Sequence, residues 1–543
     1  MRLGWETAAE RACPLVRGAC YLLLAGLTLL FLWVAGSRAA YPYAVEWMEE
    51  VVFTDSVRVA VGEQLYPDPE SGFAAGVYNP LYQYLVALLV YILGPVMGLG
   101  RIVSLASILL AAFVLHLIVK RETRSVRAGL VGASFFIASF PVVGYWYDLA
   151  RIDSFWICTM LAGFYFVRRR PLGAAGTVAA AACLALSFFT KQLSAYAMAA
   201  VFLYLLAVDR RRATLFAALS AAFVGCGILL LQWTSEGWYW FYVFTLPRGF
   251  LSREGMKYNF FYHTGSDVHM GLFYLVRHYP ICIAVPVVSI LCRVLGKRGA
   301  LRSGLWFLLF ALFILVDGLN YAKSNAWHNS FYTTAAFTSL LTGLLWARID
   351  GIGRGRSFVA LLFGLCLFAQ LVMLTYDPAD HIPREEDRVE GDKFIRTVSK
   401  LEGKVWLPHH PYYAYLAGKG FRYTAEASYL SYRLLGRLFD RFIGDVRERN
   451  LDYIVIDTEP DWVFWKSVPP LTEALNAHYT VVRRFDYGDL VFPKGLDHRQ
   501  DWDMPGTRHV FMPVEGTQAR PLVLMAPKRP HGRRGEGGDA RLP

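Results

Sequence analysis

YPYAVEWMEEVVFTDSVRVAVGEQLYPDPESGFAAGVYNP, residues 41–80, decides how the rest of the chain is read. It lies between two strongly apolar segments and holds Glu46, Glu49, Glu50, Asp55, Glu63, Asp68 and Glu70, while most of the flanking chain is nearly free of carboxylates. On a helix over 45–59, at about 100° per residue, Glu46, Glu49 and Glu50 share one face and Trp47, Met48, Val51 and Val52 form the other. This pattern predicts a helix on a membrane surface with its carboxylates toward an aqueous cavity. For any one of them the plainer reading is a solvated acidic face that keeps the loop out of the bilayer. Asp55 falls on the apolar face three residues before Arg58, and pairing with Arg58 explains it as well as catalysis does.

Outward from this loop the chain is apolar. Of 543 residues 55% are hydrophobic and 18% charged, the mean hydropathy is +0.34, and several apolar runs are long enough to cross a bilayer. That excludes an ordinary soluble enzyme and predicts a polytopic α-helical membrane protein. The net charge of +12 does not imply nucleic acid, because most basic residues sit in short loops between apolar runs and no nucleic-acid motif is present. The cysteines, Cys13, Cys20, Cys158, Cys183, Cys226, Cys282, Cys292 and Cys366, lie in or beside apolar segments without CxxC or metal-ligand spacing. They read as small buried side chains. Arg2, Arg11 and Arg17 precede the first apolar run, which reads as a retained helix with a cytoplasmic N-terminus.

Apolar segments fall near 16–36, 81–97, 101–119, 128–147, 154–168, 172–190, 193–208, 213–232, 271–292, 304–321, 331–347 and 357–376. The loops KRETRSVR from Lys120, RRRP after Val167, DRRR from Asp209, CRVLGKRGALR from Cys292 and ARIDGIGRGR from Ala347 are basic and belong in the cytoplasm. They all fall on one side only if 81–97, broken by Asn79-Pro80 and Gly94-Pro95, dips into the interface without crossing. About eleven crossings then remain. The outer face collects residues 41–80, the 98–101 turn, YDLARID at 147–153, Thr190-Lys191-Gln192, the 233–270 loop and 320–330. The chain divides into a membrane domain over 1–376, with 41–100 as its first periplasmic loop and juxtamembrane helices, and a soluble α/β domain over 377–526 on the same outer face. In the latter, 405–407 and 453–457 read as strands and 390–401 and 431–450 as helices, before a basic disordered tail over 527–543.

Candidate chemistry gathers on the outer face. Arg101 opens a long apolar helix, where its guanidinium fork suits a phosphate, although an interfacial anchor is the plainer role. Asp148, Arg151 and Asp153 form a cluster that reads equally as local ion pairing. Lys191, alone between two apolar helices, suits a phosphate or pyrophosphate, with snorkelling as the alternative. Lys323, Asn325, His328 and Asn329 make a polar turn in which His328 either ligates a divalent metal with a glutamate or is a hydrogen-bonded structural histidine. No GxSxG, P-loop, GxGxxG or HExxH site occurs at a plausible place, so the site is read as outer-face carboxylates converging with Arg101, Lys191 and His328.

Several stretches resemble the GT-C glycosyltransferases, polytopic enzymes that use polyprenyl-phosphate sugars and include protein O-mannosyltransferases and lipid A aminoarabinose transferases. EWMEE, GEQLYPDP and YNPLYQYLVALLVYILGP are similar to the family's first outer loop and juxtamembrane helix. GRIVSLASILLAAFVLHLIVKR resembles the arginine-led helix that follows, LARIDSFWICTMLAGFYFVRRR the second outer turn, and SFFTKQLSAY the later lysine turn. The likeness covers residues 15–210 in order and spacing, and the later helices only in general pattern. It implies that Glu46 or Glu49 is the catalytic carboxylate, that Arg101 faces the lipid phosphate and that Lys191 assists. Many relatives have Asp-Glu where this chain has Met48-Glu49, which leaves the choice of glutamate and any metal open.

The implied function is transfer of a sugar from a polyprenyl-phosphate donor to a glycan, lipid or protein acceptor at the periplasmic side of a bacterial inner membrane. It implies membrane lipid but no nucleic acid as a partner, with a divalent metal ion as the one cofactor to be considered. A lipid-linked glycan transporter is the competing reading, but it calls for mid-bilayer charges and repeated halves, neither of which is evident here. A non-catalytic envelope scaffold would leave the acidic loop unexplained.

Overall fold

The computed structural model describes residues 2–168, 173–248, 274–294, 304–321, 327–350, 357–424, 427, 431–432, 435–456, 468–484 and 523–527. Lys323 and Asn325 of the polar turn, 249–270 of the expected outer loop, 169–172, 295–302 and 351–356 of the basic loops, and the tail over 528–543 lie outside the described residues.

Helix α1 runs over Arg2–Ala39, α2 over Trp47–Ala60, α3 over Leu81–Leu93, α4 over Gly98–Thr123, α5 over Val126–Ala138 and α6 over Ile152–Val167. They are followed by α7 (Ala174–Phe188), α8 (Ser194–Val208), α9 (Arg210–Thr234), α10 (Ile281–Val294), α11 (Gly304–Tyr321), α12 (Tyr332–Asp350) and α13 (Ser357–Met373). By length and apolarity, residues 10–39 of α1, α4 and α9 each suffice to cross a membrane, and several shorter apolar helices pack beside them. The protein is a multi-pass membrane protein.

Contacts sort the helix ends into two groups. At one end the α4 terminus meets those of α6 and α8: Arg168, capping α6, holds Glu122 of α4 through Nε and Nη2 at 2.7 Å and donates to the Tyr204 hydroxyl of α8. The α4–α5 turn at this end is closed by Arg124 at φ 60° and by the Ser125 side chain, which caps α5 on the Ala128 N–H. The opposite end joins the C-terminus of α1, the N-terminus of α4, the 139–151 turn and the segment after α13, because Arg38 reaches Asp148, Tyr145 and His381. Asp317 of α11 accepts from Thr333 and Thr334 at the start of α12, bringing those two ends together as well. Helix α12 is buried although it is rich in hydroxyls, because Ser339 and Thr342 return their hydroxyls to carbonyls four residues back.

Both ends of α3 stay on the Arg38 side. Its 13 residues rise about 20 Å, short of a bilayer core of about 30 Å. Pro80 precedes it and Gly94, at φ 90°, ends it ahead of Pro95. Tyr82 donates to the Gly100 carbonyl at the start of α4, and Asn79 reaches the Phe188 carbonyl at the end of α7.

Beyond residue 376 come α14 (Glu385–Ser399), α15 (Pro411–Leu416), α16 (Asp440–Arg447) and α17 (Pro469–His478), with strands β1 (Val405–Trp406), β2 (Tyr453–Ile456), β3 (Tyr479–Arg484) and β4 (Val523–Pro527). The strands form one mixed sheet in the order β1-β2-β4-β3, parallel between β1 and β2 and antiparallel elsewhere. The helix expected over 431–450 is interrupted, since 436–439 are not helical and Gly436 sits at φ 73°. Cys13, Cys20, Cys158, Cys183, Cys226, Cys282 and Cys366 are free thiols.

Candidate active site

The acidic loop is folded inward. Glu46 does not belong to α2 but caps it: at φ −145° and ψ 139° its carboxylate accepts the Met48 and Glu49 N–H groups, each at 3.1 Å. Glu46, Glu49 and Glu50 are all buried, each against a different partner. The expected wet face shared by the three is therefore absent. The helical phase did not allow for a cap at the first of them, nor for loops closing over the other two.

Glu49 is saturated. It accepts Arg101 Nε at 2.8 Å and Nη2 at 2.7 Å in a bidentate fork, together with the Ala150 N–H at 2.7 Å and the Val45 N–H at 2.9 Å. Arg101 is saturated too, since its remaining donors go to the carbonyls of Arg38, Tyr41 and Tyr43 at 2.6–2.7 Å. A guanidinium has five N–H groups and all five are engaged, so none is left for a phosphate. The expectation that Arg101 faces one is corrected here: it ties the first loop to α4. Burial would raise the Glu49 pKa, but Arg101 and the two backbone N–H groups outweigh it and hold the carboxyl below its ordinary value.

Beside this knot Arg38 pairs with Asp148 at 2.9 Å, both fully buried. Burial raises the Asp148 pKa against Arg38's pull. Arg38 was not foreseen, although a lone arginine at the outer end of a span, against the prevailing charge asymmetry, was a signal. Asp148, expected at a substrate, is occupied with closing the helix ends.

The remaining candidates form an open chain of charges. Arg151 pairs with Glu46 at 3.1 Å and Asp153 at 3.6 Å, meets the Tyr78 hydroxyl at 3.4 Å and lies over the Trp146 ring. Asp153 in turn accepts Lys191 Nζ at 2.7 Å and Asn329 Nδ2 at 3.3 Å. Lys191 stands over the Trp156 ring, keeps 12% of its side chain exposed and, among the described residues, makes one hydrogen bond with its three N–H groups. Tyr78 and Asn329 on the same rim are half-buried. Burial dominates at Glu46 and raises its pKa in spite of Arg151 and the Met48 N–H. Among the described residues its Oε1 accepts only the Met48 N–H. The cluster thus combines a carboxylate biased toward holding a proton with a cation that has donors to spare.

His328 is stacked on Tyr274 with ring centroids 4.2 Å apart, while its neighbour Asn329 reaches Asp153. Among the described residues no three His, Cys, Asp or Glu side chains are placed to hold a metal ion. Among the described residues the donor set does not fit the divalent metal considered from the sequence, and His328 packs within the turn.

Glu50 was also read as part of the wet face. It accepts the Tyr412 and Tyr413 N–H groups at 2.9 and 3.1 Å and pairs with His410 at 3.0 Å, capping α15. Burial raises its pKa despite His410. Glu70 likewise accepts the Asp440 and Arg441 N–H groups at the start of α16. Two carboxylates of the first loop therefore anchor the region after α13. Partners some 360 positions away leave no local pattern in a sequence.

The fold has solved counterparts. ArnT from Cupriavidus metallidurans in the apo state aligns at TM-score 0.50 and 12% identity over 86% of this chain and 96% of that one. Its form bound to undecaprenyl phosphate aligns at 0.52 and 11% over 93% and 98%. The archaeal oligosaccharyltransferase AglB from Archaeoglobus fulgidus, in complex with an inhibitory peptide and a dolichol-phosphate, aligns at 0.51 and 11% over 85% and 73%. Neither a protein-family model nor a curated protein sequence matches the chain. This chain has the GT-C fold.

Proposed function

We propose that the chain is an integral-membrane glycosyltransferase that moves a sugar from a polyprenyl-phosphate donor to an acceptor at the outer side of a bacterial inner membrane. The observation that carries this reading is the open cluster of Glu46, Arg151, Asp153 and Lys191 at one end of a GT-C bundle. The solved counterparts that hold undecaprenyl phosphate or dolichol-phosphate support the donor class.

In this reading the helices cross about eleven times and α3 rests in the interface. Exposed Trp33, Tyr91, Tyr196, Trp233 and Trp240, near helix ends on the Arg38 side, suit an interfacial aromatic belt there. The region after α13 stands on that same side, held by Glu50 and Glu70, and forms the outer α/β domain.

The donor enters laterally from the bilayer and its phosphate lies against Lys191, whose free N–H groups stabilise the leaving charge. Asp153 and the Trp156 ring aim the ammonium. Glu46 takes the proton of the acceptor nucleophile as that atom bonds to the anomeric carbon. The bond from that carbon to the phosphate oxygen breaks, and its electron pair leaves with the lipid phosphate. Inversion at the anomeric carbon is the expectation that goes with the fold. Arg101 and Glu49 hold the loop in place and touch neither substrate.

Reconstitution in liposomes with labelled polyprenyl-phosphate sugars and envelope acceptors tests the proposal. Wild type transfers, whereas Glu46→Gln and Lys191→Met, both folded, transfer far more slowly. Folded variants that transfer at the wild-type rate would overturn the assignment.

A further inference from the structure

One buried carboxylate of the first loop has neither a part in the proposed chemistry nor a saturating set of partners. Asp55 is 1% exposed; its Oδ2 accepts the Gly76 N–H at 3.1 Å and its Oδ1 has no hydrogen-bond partner among the described residues. Arg58 is 4.0 Å away, too far to satisfy it, because that guanidinium is held by Glu63 at 2.7 Å and lies on the Phe73 ring, 3.6 Å from its centroid. The pairing of Asp55 with Arg58 expected from their spacing is thus a loose one, and the stronger tie runs 21 residues along the chain.

Two residues beyond Gly76 stands Tyr78. Its carbonyl accepts the Tyr66 hydroxyl at 2.6 Å, and its hydroxyl meets Arg151 at 3.4 Å on the rim of the charged cluster. Arg151 in turn holds Glu46. A side chain added at Gly76 would meet Asp55 Oδ2 at 3.1 Å and the Tyr78 ring at 3.4 Å, so the three pack without slack.

We propose that Asp55 is a positioning residue that, through Gly76, holds the loop over 63–80 so that Tyr78 covers Arg151 and the Glu46–Asp153 cluster. The hold itself rests on this geometry alone; its effect on turnover rests on the proposed glycosyl transfer. The titratable and charged groups facing Asp55 are Arg58 on its own helix, Tyr66 on the loop and Tyr242 from the segment after α9. Burial pushes the Asp55 pKa up to about 7, against Arg58 and the Gly76 N–H. Because burial raises that pKa above its ordinary value of 3.8, the held loop favours the neutral carboxyl, and the hold loosens as the pH rises through neutrality.

The test uses the full chain in nanodiscs, with hydrogen exchange of peptides spanning 63–80 and transfer kinetics for wild type, Asp55→Asn, Asp55→Leu and Gly76→Ala. Asp55→Leu and Gly76→Ala should speed exchange in 63–80 and lower kcat/KM about tenfold or more. Asp55→Asn keeps a neutral acceptor, so it should retain most of both and lose the inflection near pH 7. Gly76→Ala strains the contact from the other side, which keeps the test open if the leucine variant fails to fold. Unchanged exchange in Asp55→Leu and Gly76→Ala overturns the inference, as does faster exchange with kcat/KM and pH profile both at wild type. If wild type transfers from no donor, glycosyl transfer is the reading that has failed, and exchange alone decides whether Asp55 holds the loop.

Discussion

Two ion-pair systems grow from the same EWMEE stretch, and they differ in what they leave undone. The Glu49–Arg101 knot is closed: a bidentate fork, two backbone N–H groups and three carbonyls satisfy both charges. The Glu46–Arg151–Asp153–Lys191 chain is open, with longer contacts and a lysine that retains unused donors at a partly exposed rim. In the proposed reading, residues three apart in sequence have opposite tasks, one structural and one chemical. What separates them is how completely their hydrogen bonds are satisfied, not their charge or burial.

The largest effect should come from breaking the closed knot. Arg101→Ala strands the buried Glu49 carboxylate and should cost about 3–5 kcal/mol, read as a collapse in thermal stability and in the folded yield after extraction. A normally stable Arg101→Ala protein that had lost only donor binding would return Arg101 to the phosphate. The knot's charge can also be read through pH. The Glu49 pKa is held below its ordinary value of 4.5, so its contribution to stability is complete above that pH and is lost as the pH falls through the folded value. Glu49→Gln should therefore be less stable than wild type at neutral pH, with the gap closing in acid; a gap independent of pH would contradict the charged pairing.

The open chain should respond in rate rather than stability. Lys191→Met should remain folded and lower kcat about 10²–10³-fold, the scale of losing one donor to a developing negative charge. A control at the other end of the bundle sharpens the contrast. Arg168→Gln breaks the pair with Glu122 and should cost about 1–3 kcal/mol while leaving turnover per folded molecule unchanged.

The parts legible in the sequence were those set by the bilayer. Apolar runs and basic loops led to the expectation that 81–97 stays out of the crossing count, and the contacts of α3 keep both its ends on the Arg38 side. Lys191 stood out because a lone cation between two apolar helices needs a reason. The roles of Glu46, Glu49 and Arg101 were not legible, because they depend on the 139–151 turn, on the carbonyls of residues 38–43 and on a cap that removes Glu46 from the helical wheel. Periodicity describes one element, whereas saturation is a property of all the elements that meet around a side chain. Arg101 was misassigned for that reason: an arginine at a helix start looks available until its five donors are counted.

The most direct test of the division is a paired measurement of Glu46→Gln and Glu49→Gln, with thermal unfolding and sugar transfer recorded on the same preparations. The account predicts that Glu46→Gln stays near wild type in stability and loses transfer, while Glu49→Gln loses stability and transfers in proportion to the protein that remains folded. A stable, fully active Glu46→Gln enzyme beside a stable, inactive Glu49→Gln one would contradict it.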